Sequence, residues 1–455
     1  MKKHIILINP WIHDFAAYDF WAKPIGILYI ASYLRLNGYE VTFIDCLDPY
    51  HPDMIKNSRI KNPKRHFSGK GQFHKEIIDK PSPIKFVNKN YKRYGITPDC
   101  FLESLRRAGH PSFIFITSKM SYWYPGVFET IKLTRNVFPD APVLLGGNYV
   151  TLCPEHAKKS GADYLISSNA ESRMESIIRD ILHGNISFVP DITKLDSLPY
   201  PSYDLLNRPD QLPILTARGC PFKCTYCASK LLFPQYSQRD PIMVVDEIEH
   251  WNRTLGVNNF SFYDDALLIE PDKMIIPFME EVINRRLSLS FHCPNGLHLS
   301  QVSEKVANLL YRSGFRTIRF GFETSNVERQ SETGGKVRNE HLEEAVVHLK
   351  NAGYRTEDIG VYVMCGLPGQ SAEEVLDTIH FVDAQKATPV IAEYSPIPGT
   401  ALWDKAVECS HYDLVNEPLF HNNSLLPCHS DILSVKMYEN LKRETKAIRD
   451  KVRHE

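Results

Sequence analysis

Short apolar runs alternate with amphipathic stretches along most of this chain. In the first 185 residues, the runs at 5–8, 41–44, 113–116, 143–145 and 164–166 read as buried strands. Stretches 25–36 and 127–138 instead repeat apolar residues at helical spacing, and the first should stop at Asn37-Gly38. Alternation of this kind predicts a parallel sheet with helices on both faces, and such sheets bind ligands outside the carboxyl ends of their strands. Residues 49–95 break the rhythm. They are rich in Lys, Pro, His and Asn, show little periodicity, and are expected to form a long solvated excursion.

A segment without period, punctuated by Pro190, Pro199, Pro201 and Pro209, reads as a linker over 188–209. A second alternating series follows it. Its expected strands are 214–217, 260–263, 288–292, 317–320, 361–364 and 390–394, separated by helical patterns at 244–255, 303–311, 340–351 and 372–384. Six strand–helix units suit a partial barrel with its site at the strand carboxyl ends. Met437, Leu441, Ile448 and Val452 recur at helical spacing and predict a terminal amphipathic helix. The polar stretch 419–424 reads as a loop before it. The expected fold class is α/β, with a Rossmann-like parallel sheet over 1–187 and a six-unit, TIM-type partial barrel over 210–405. Residues 406–455 form an extension.

Composition narrows the function. The 455 residues are 43% hydrophobic and 24% charged, ordinary for a soluble globular protein, and long enough for two or three domains. A net charge of -1 gives no reason to expect bulk nucleic-acid or anionic-membrane binding. No apolar run reaches spanning length. The opening MKKHIILINPW superficially suggests a leader, but its apolar stretch is too short and no small-residue cleavage site follows. A buried first strand in a cytoplasmic protein is expected instead.

Three of the ten cysteines crowd into eight residues, Cys220, Cys224 and Cys227, directly after the first strand of the second series. In a cytoplasmic protein this argues for a metal site over a disulfide framework. Iron–sulfur clusters are usually held by four thiolates, so three leave one iron of a four-iron cube open to a non-protein ligand. Zinc is the alternative, yet it asks for a fourth Cys or His at a matched spacing, and Cys293, Cys365, Cys409 and Cys428 are isolated.

The Cys-x3-Cys-x2-Cys spacing, with Tyr226 before the last cysteine, resembles the radical S-adenosylmethionine (SAM) superfamily. That resemblance covers roughly residues 210–405 and implies a 4Fe-4S cluster whose open iron is chelated by SAM. It also implies reductive cleavage of SAM to a 5'-deoxyadenosyl radical, an electron donor such as flavodoxin or ferredoxin, and a small-molecule substrate. Further landmarks look alike. Asp264 and Asp265 end the second strand, where the family binds the amino group of the methionine part, although they could equally cap the next helix. Glu323 ends the fourth strand, where the resemblance has it hold ribose hydroxyls. The segment Cys365 to Gly369 resembles the adenine side, with Gly366 allowing close approach, and reads otherwise as a Gly-Pro turn. The stretch 396–400 looks like a landmark of the cobalamin-associated branch.

Two signatures in the first domain resemble cobalamin-binding domains. Ser118-Lys119-Met120 follows the third strand and Gly146-Gly147 the fourth. The Asp-x-His-x-x-Gly that supplies a cobalt-ligating histidine is missing, and residues 167–171 depart from the family's Gly-Glu pattern. His13 is expected to be an ordinary loop residue. Three functions follow: a cobalamin-dependent radical enzyme performing methyl transfer or rearrangement at an unreactive carbon, a radical enzyme without cobalamin, and a non-catalytic iron–sulfur carrier.

Overall fold

The computed structural model describes residues 3–58 and 60–452. The chain divides into two compact units, the first comprising Met1–Asp210 with Asn416–Phe420, the second Gln211–Val415 with His421–Glu455.

The first unit is built on five parallel strands, β1 (His4–Asn9), β3 (Glu40–Asp45), β6 (Phe113–Ile116), β7 (Val143–Gly146) and β8 (Tyr164–Ile166), in the order β3-β1-β6-β7-β8. Counted among themselves they run 2-1-3-4-5, a doubly wound order whose switch point lies between β1 and β6. Ile6, Ile8, Ile114, Ile116, Val143 and Leu145 are fully buried, which is why these runs carry no polar alternation.

The segment 49–95 is not a solvated excursion. It supplies β4 (Lys75–Ile77) and β5 (Lys92–Tyr94), which pair antiparallel with β2 (Ile12–Asp14) in the order β2-β5-β4. Phe73 and Tyr94 join Ile12 and Leu47 in a small core of their own. The Arg65 guanidinium bridges Asp19 at 2.7 Å and Asp210 at 2.9 Å. Strands of three residues are too short to show a period, so only the pairing partner reveals them.

His13 is likewise not a loop residue. It sits buried in β2, with Nε2 2.8 Å from Glu129. Nor do residues 188–209 run free between the units. Ser32 bonds Ser202 and the Tyr200 carbonyl, Arg35 bonds Asp204, and Asn37 bonds Phe188, so this strap lies on the first unit's opening helix.

The second unit is an open barrel of six parallel strands. β9 (Leu212–Ile214), β12 (Asn259–Phe262), β13 (Ser290–His292), β14 (Phe315–Glu323), β15 (Ile359–Cys365) and β16 (Thr388–Glu393) follow one another in sequence order. The first strand ends at Ile214, short of its expected position. Ala217 and Arg218 instead form β10, which pairs with β11 (Ser237–Gln238). The helix Val435–Val452 packs on β16 through Tyr438, Leu441, Ile448 and Val452, while Met437 faces solvent. The stretch 419–424 is ordered, with His421 and Asn422 only 1% exposed.

Candidate iron–sulfur and nucleoside site

The cysteine loop is shaped by neighbours that the sequence spreads over more than 180 residues. Asp264, at the end of β12, is buried and accepts from the Thr216 hydroxyl at 2.6 Å, the Thr216 amide at 2.9 Å and the Ala217 amide at 2.6 Å. This carboxylate ties down the backbone entering the loop, and its contacts are internal ones, not those of a residue turned to a ligand. Asp265 faces the other way, accepts from the Ser229 hydroxyl and reaches solvent. Burial pushes its carboxyl above the ordinary value, with the Ser229 bond opposing.

Gly219 makes the turn into the loop at φ +77, where a Cβ would sit 2.6 Å from the Gln235 carbonyl oxygen. Past the turn, the Cys227 amide donates to the Cys224 carbonyl at 3.2 Å, the Thr225 amide to Thr333 at 3.3 Å, and the Leu402 amide to Thr225 at 2.9 Å. Gly334 lies against the loop so closely that a Cβ there would stand 2.8 Å from the Lys223 carbonyl oxygen. Phe222 stacks on His298 with ring centroids 4.1 Å apart.

The three thiols come together at this place. Burial pushes the Cys220 and Cys227 thiols up, and their closeness to Cys224 and Asp265 works the same way. The Ser229 amide donates to the Cys227 sulfur at 3.4 Å. Among the described residues no three His, Cys, Asp or Glu side chains converge as a single ion would require. A cubane asks for something different, one thiolate on each of three irons with amide donors to its sulfurs, and this donor set fits that demand.

A second cluster stands beside the cysteines. A register shift between Gly321 and Glu323 bends the end of β14, and Glu323 adopts φ 73, a left-handed conformation that costs a non-glycine residue energy and gathers at functional sites. The bend brings its carboxylate 3.0 Å from Lys336 Nζ and within hydrogen-bonding reach of Tyr226, whose hydroxyl also meets Cys224. Burial works against the Lys336 ammonium, but Glu323 and the thiols outweigh it and hold its pKa above the ordinary value. Sequence reading missed Lys336, Ser229 and His298. The pair Gly334-Gly335 just before Lys336 was the available signal. Gly366 is at φ 94, but Leu426 occupies the space a Cβ would take, at 2.8 Å. Its close approach is therefore to a leucine of its own unit, and Gln370 caps its turn by accepting from the Gly366 and Leu367 amides.

Residues 214–382, the stretch that holds every one of these groups except Leu402 and Leu426, match the radical SAM superfamily. That stretch is a radical SAM domain. As such it works with a 4Fe-4S cluster and SAM, and it requires a reductant and a small substrate. Among curated relatives, the chain is 26% identical over 328 residues to an uncharacterized methyltransferase of Pyrococcus horikoshii, spanning 65% of this chain and 70% of that one. It is 20% identical over 477 residues to cytidylyl-2-hydroxyethylphosphonate methyltransferase of Streptomyces wedmorensis, with 90% and 82% covered. Among solved structures, the radical SAM methyltransferase TsrM of Kitasatospora setae, with tryptophan and a SAM analogue, superposes over 98% of this chain and 89% of its own, at TM-score 0.67 and 15% identity. The cobalamin-dependent radical enzyme OxsB, with aqua-cobalamin bound, gives TM-score 0.60 at 13% identity over 98% and 62%. These likenesses show a shared fold.

In the first unit, Ser118 and Gly146-Gly147 end β6 and β7 and meet each other. The Ser118 hydroxyl donates to the Gly146 carbonyl at 2.7 Å, and a Cβ on Gly147 would lie 2.2 Å from the Ser118 carbonyl oxygen. Gly146 and Gly147 are half-buried, and Met120 is 50% exposed. Gly146 and Gly147 thus present backbone without side chains at the end of β7, which fits close approach of a flat ligand, while at the end of β6 the Lys119 side chain reaches the Ala22 carbonyl at 3.3 Å. His13 is held by Glu129 and is not available as a metal ligand there. Among the described residues, no helix is long and apolar enough to cross a membrane.

Proposed function

We propose that this enzyme is a cobalamin-dependent methyltransferase acting on an unreactive carbon of a small molecule. When bound, the cluster and SAM supply a 5'-deoxyadenosyl radical, and cobalamin supplies a transferable methyl group. In this reading Cys220, Cys224 and Cys227 hold three irons, and the Ser229 amide and Tyr226 hydroxyl orient the thiolates. Glu323 accepts from the ribose hydroxyls. Lys336 and Asp265 flank the charged amino-acid end of SAM. Ser118, Gly146 and Gly147 shape the backbone edge for the corrin, with no histidine of this chain on cobalt. A cytoplasmic location and a flavodoxin or ferredoxin donor belong to the same reading, supported by a thiolate set that oxidants would destroy.

The observation that carries the proposal is the three-thiol loop with an ion-paired carboxylate beside it, in a chain that also has a doubly wound sheet with bare glycine backbone at the end of β7. A second reading, a radical enzyme without cobalamin, is favoured by one observation: the Ser118–Gly147 contact explains both signatures by packing alone. The two are separated by purifying the protein without oxygen from corrinoid-supplied cells. About one cobalamin per chain, as one pocket would hold, supports the first. No corrinoid, with 5'-deoxyadenosine still formed from SAM, establishes the second. Zinc in place of iron, with no 5'-deoxyadenosine, would sink both.

A further inference from the structure

The segment 49–95 carries twelve Lys and Arg against three Asp and Glu, while the rest of the chain is net negative by ten. Neutrality of the whole conceals a strongly basic piece. Within the first unit this piece walls a cavity of about 460 Å³, lined by Lys61, Lys64 and Lys75 on its polar side and by Met54 and Phe73 on its apolar side. The other charged lining residues cancel, since Arg93 pairs with Glu76 at 2.8 Å and with Glu129 at 2.5 Å. Lys61, Lys64 and Lys75 have no carboxylate within ion-pair distance among the described residues. Three lysines without a carboxylate partner at the rim of one hollow leave it with an excess of positive charge, which an anion would neutralise.

The lysines are not on a loose tether. Arg65, next to Lys64, is held by Asp19 and Asp210. The Gln72 amide donates to the Lys64 carbonyl at 2.8 Å, and Gly71 lies so close that a Cβ would stand 2.6 Å from that oxygen. Phe73 and Met54 are buried, fixing the floor. The backbone that carries Lys64 is therefore fixed before a ligand arrives, and only exposed side chains need order on binding, which lowers the entropy lost.

We propose that this cavity binds a phosphorylated small molecule carrying two or more negative charges, its phosphates between Lys61, Lys64 and Lys75 and its organic part over Phe73. The site lies wholly within the first unit and does not depend on the cobalamin reading. A hollow of this volume takes a nucleotide-sized ligand. A polynucleotide would need a continuous exposed track instead.

The test is calorimetric titration of the full chain with pyrophosphate, at low and at physiological salt. Wild-type protein should bind it, more weakly as salt rises. The triple change Lys61→Gln, Lys64→Gln and Lys75→Gln should weaken binding about tenfold or more, because three unscreened charges are withdrawn. All three side chains are exposed, so the fold should persist, which circular dichroism checks. A control triple of equal charge at lysines that do not line the cavity, Lys85→Gln, Lys132→Gln and Lys159→Gln, should leave binding within about twofold, as screened charges outside a site do. No pyrophosphate binding to wild-type protein, or equal loss in both triples, would overturn the proposal. So would a single-stranded oligonucleotide that binds more tightly than pyrophosphate and is weakened equally by both triples.

Discussion

Lys336 Nζ stands 3.0 Å from Glu323 Oε1, and the pair sits beside the Cys224 and Cys227 thiols. A fixed cation at that place favours the more negative state of anything the thiolates hold. Lys336→Met should therefore lower the cluster's midpoint potential by roughly 20–60 mV, or about 0.5–1.4 kcal/mol for one electron, while Lys336→Arg should restore most of it. A redox titration followed by electron paramagnetic resonance reads the change. An unaltered potential with intact iron content would make Lys336 a purely structural residue.

Removing the other partner separates nucleoside binding from cluster assembly. Glu323→Gln should weaken SAM binding by roughly 1.5–3 kcal/mol, the range for a hydrogen bond to a charged group. Iron content should stay at wild-type level, since no thiolate is touched. Loss of iron together with the fold would show that the strained end of β14 is structural.

Asp264 makes the opposite prediction. Its carboxylate satisfies two buried amides and a hydroxyl, so Asp264→Ala leaves three donors without partners. The cost should be roughly 3 kcal/mol or more, with a matching fall in iron retained after anaerobic reconstitution. Asp264→Asn keeps one acceptor and should lose less. If SAM affinity falls while iron and stability do not, Asp264 faces the nucleoside after all.

Gly147→Ala does not report on corrin docking alone. The residue is at φ 101, and a Cβ would meet the Ser118 backbone at 2.2 Å. The variant should destabilise the first unit by roughly 2–4 kcal/mol whether or not cobalamin binds. Ser118→Ala removes a single hydrogen bond and is the better probe. Thermal unfolding of both variants, with and without corrinoid, tells the two effects apart.

Asp48 provides a pH dependence. Burial and the neighbouring Asp45 push its carboxyl up to about 6, against the bonds from Asn207 and Tyr50. The folded state then holds a proton that the unfolded chain releases near pH 4. The first unit should lose stability as pH rises from about 4 to 6, by about 2–3 kcal/mol in all. Asp48→Asn should flatten that slope. A slope unchanged in the variant would place the titration elsewhere.

The sequence by itself determined the two alternating series, the parallel α/β character of both, and the place of the three-cysteine loop after the first barrel strand, whereas the order β3-β1-β6-β7-β8 came from strand pairing. The first three features are local. An apolar run of four residues is buried wherever it falls, and three cysteines in eight residues need no distant partner to be recognised. Only the tertiary structure decided that Asp264 and Asp265, adjacent in the chain, face opposite ways. Both lie just beyond β12, and it is the pairing of β9 with β12 that brings Thr216 to Asp264, while Ser229 bonds Asp265. It also decided that Leu426 covers Gly366, that Lys336 meets Glu323, and that the segment 49–95 folds onto β2. Each of these is a contact between stretches far apart in sequence or too short to carry a period. Such contacts are made by packing and ion pairing, and periodicity leaves no trace of them.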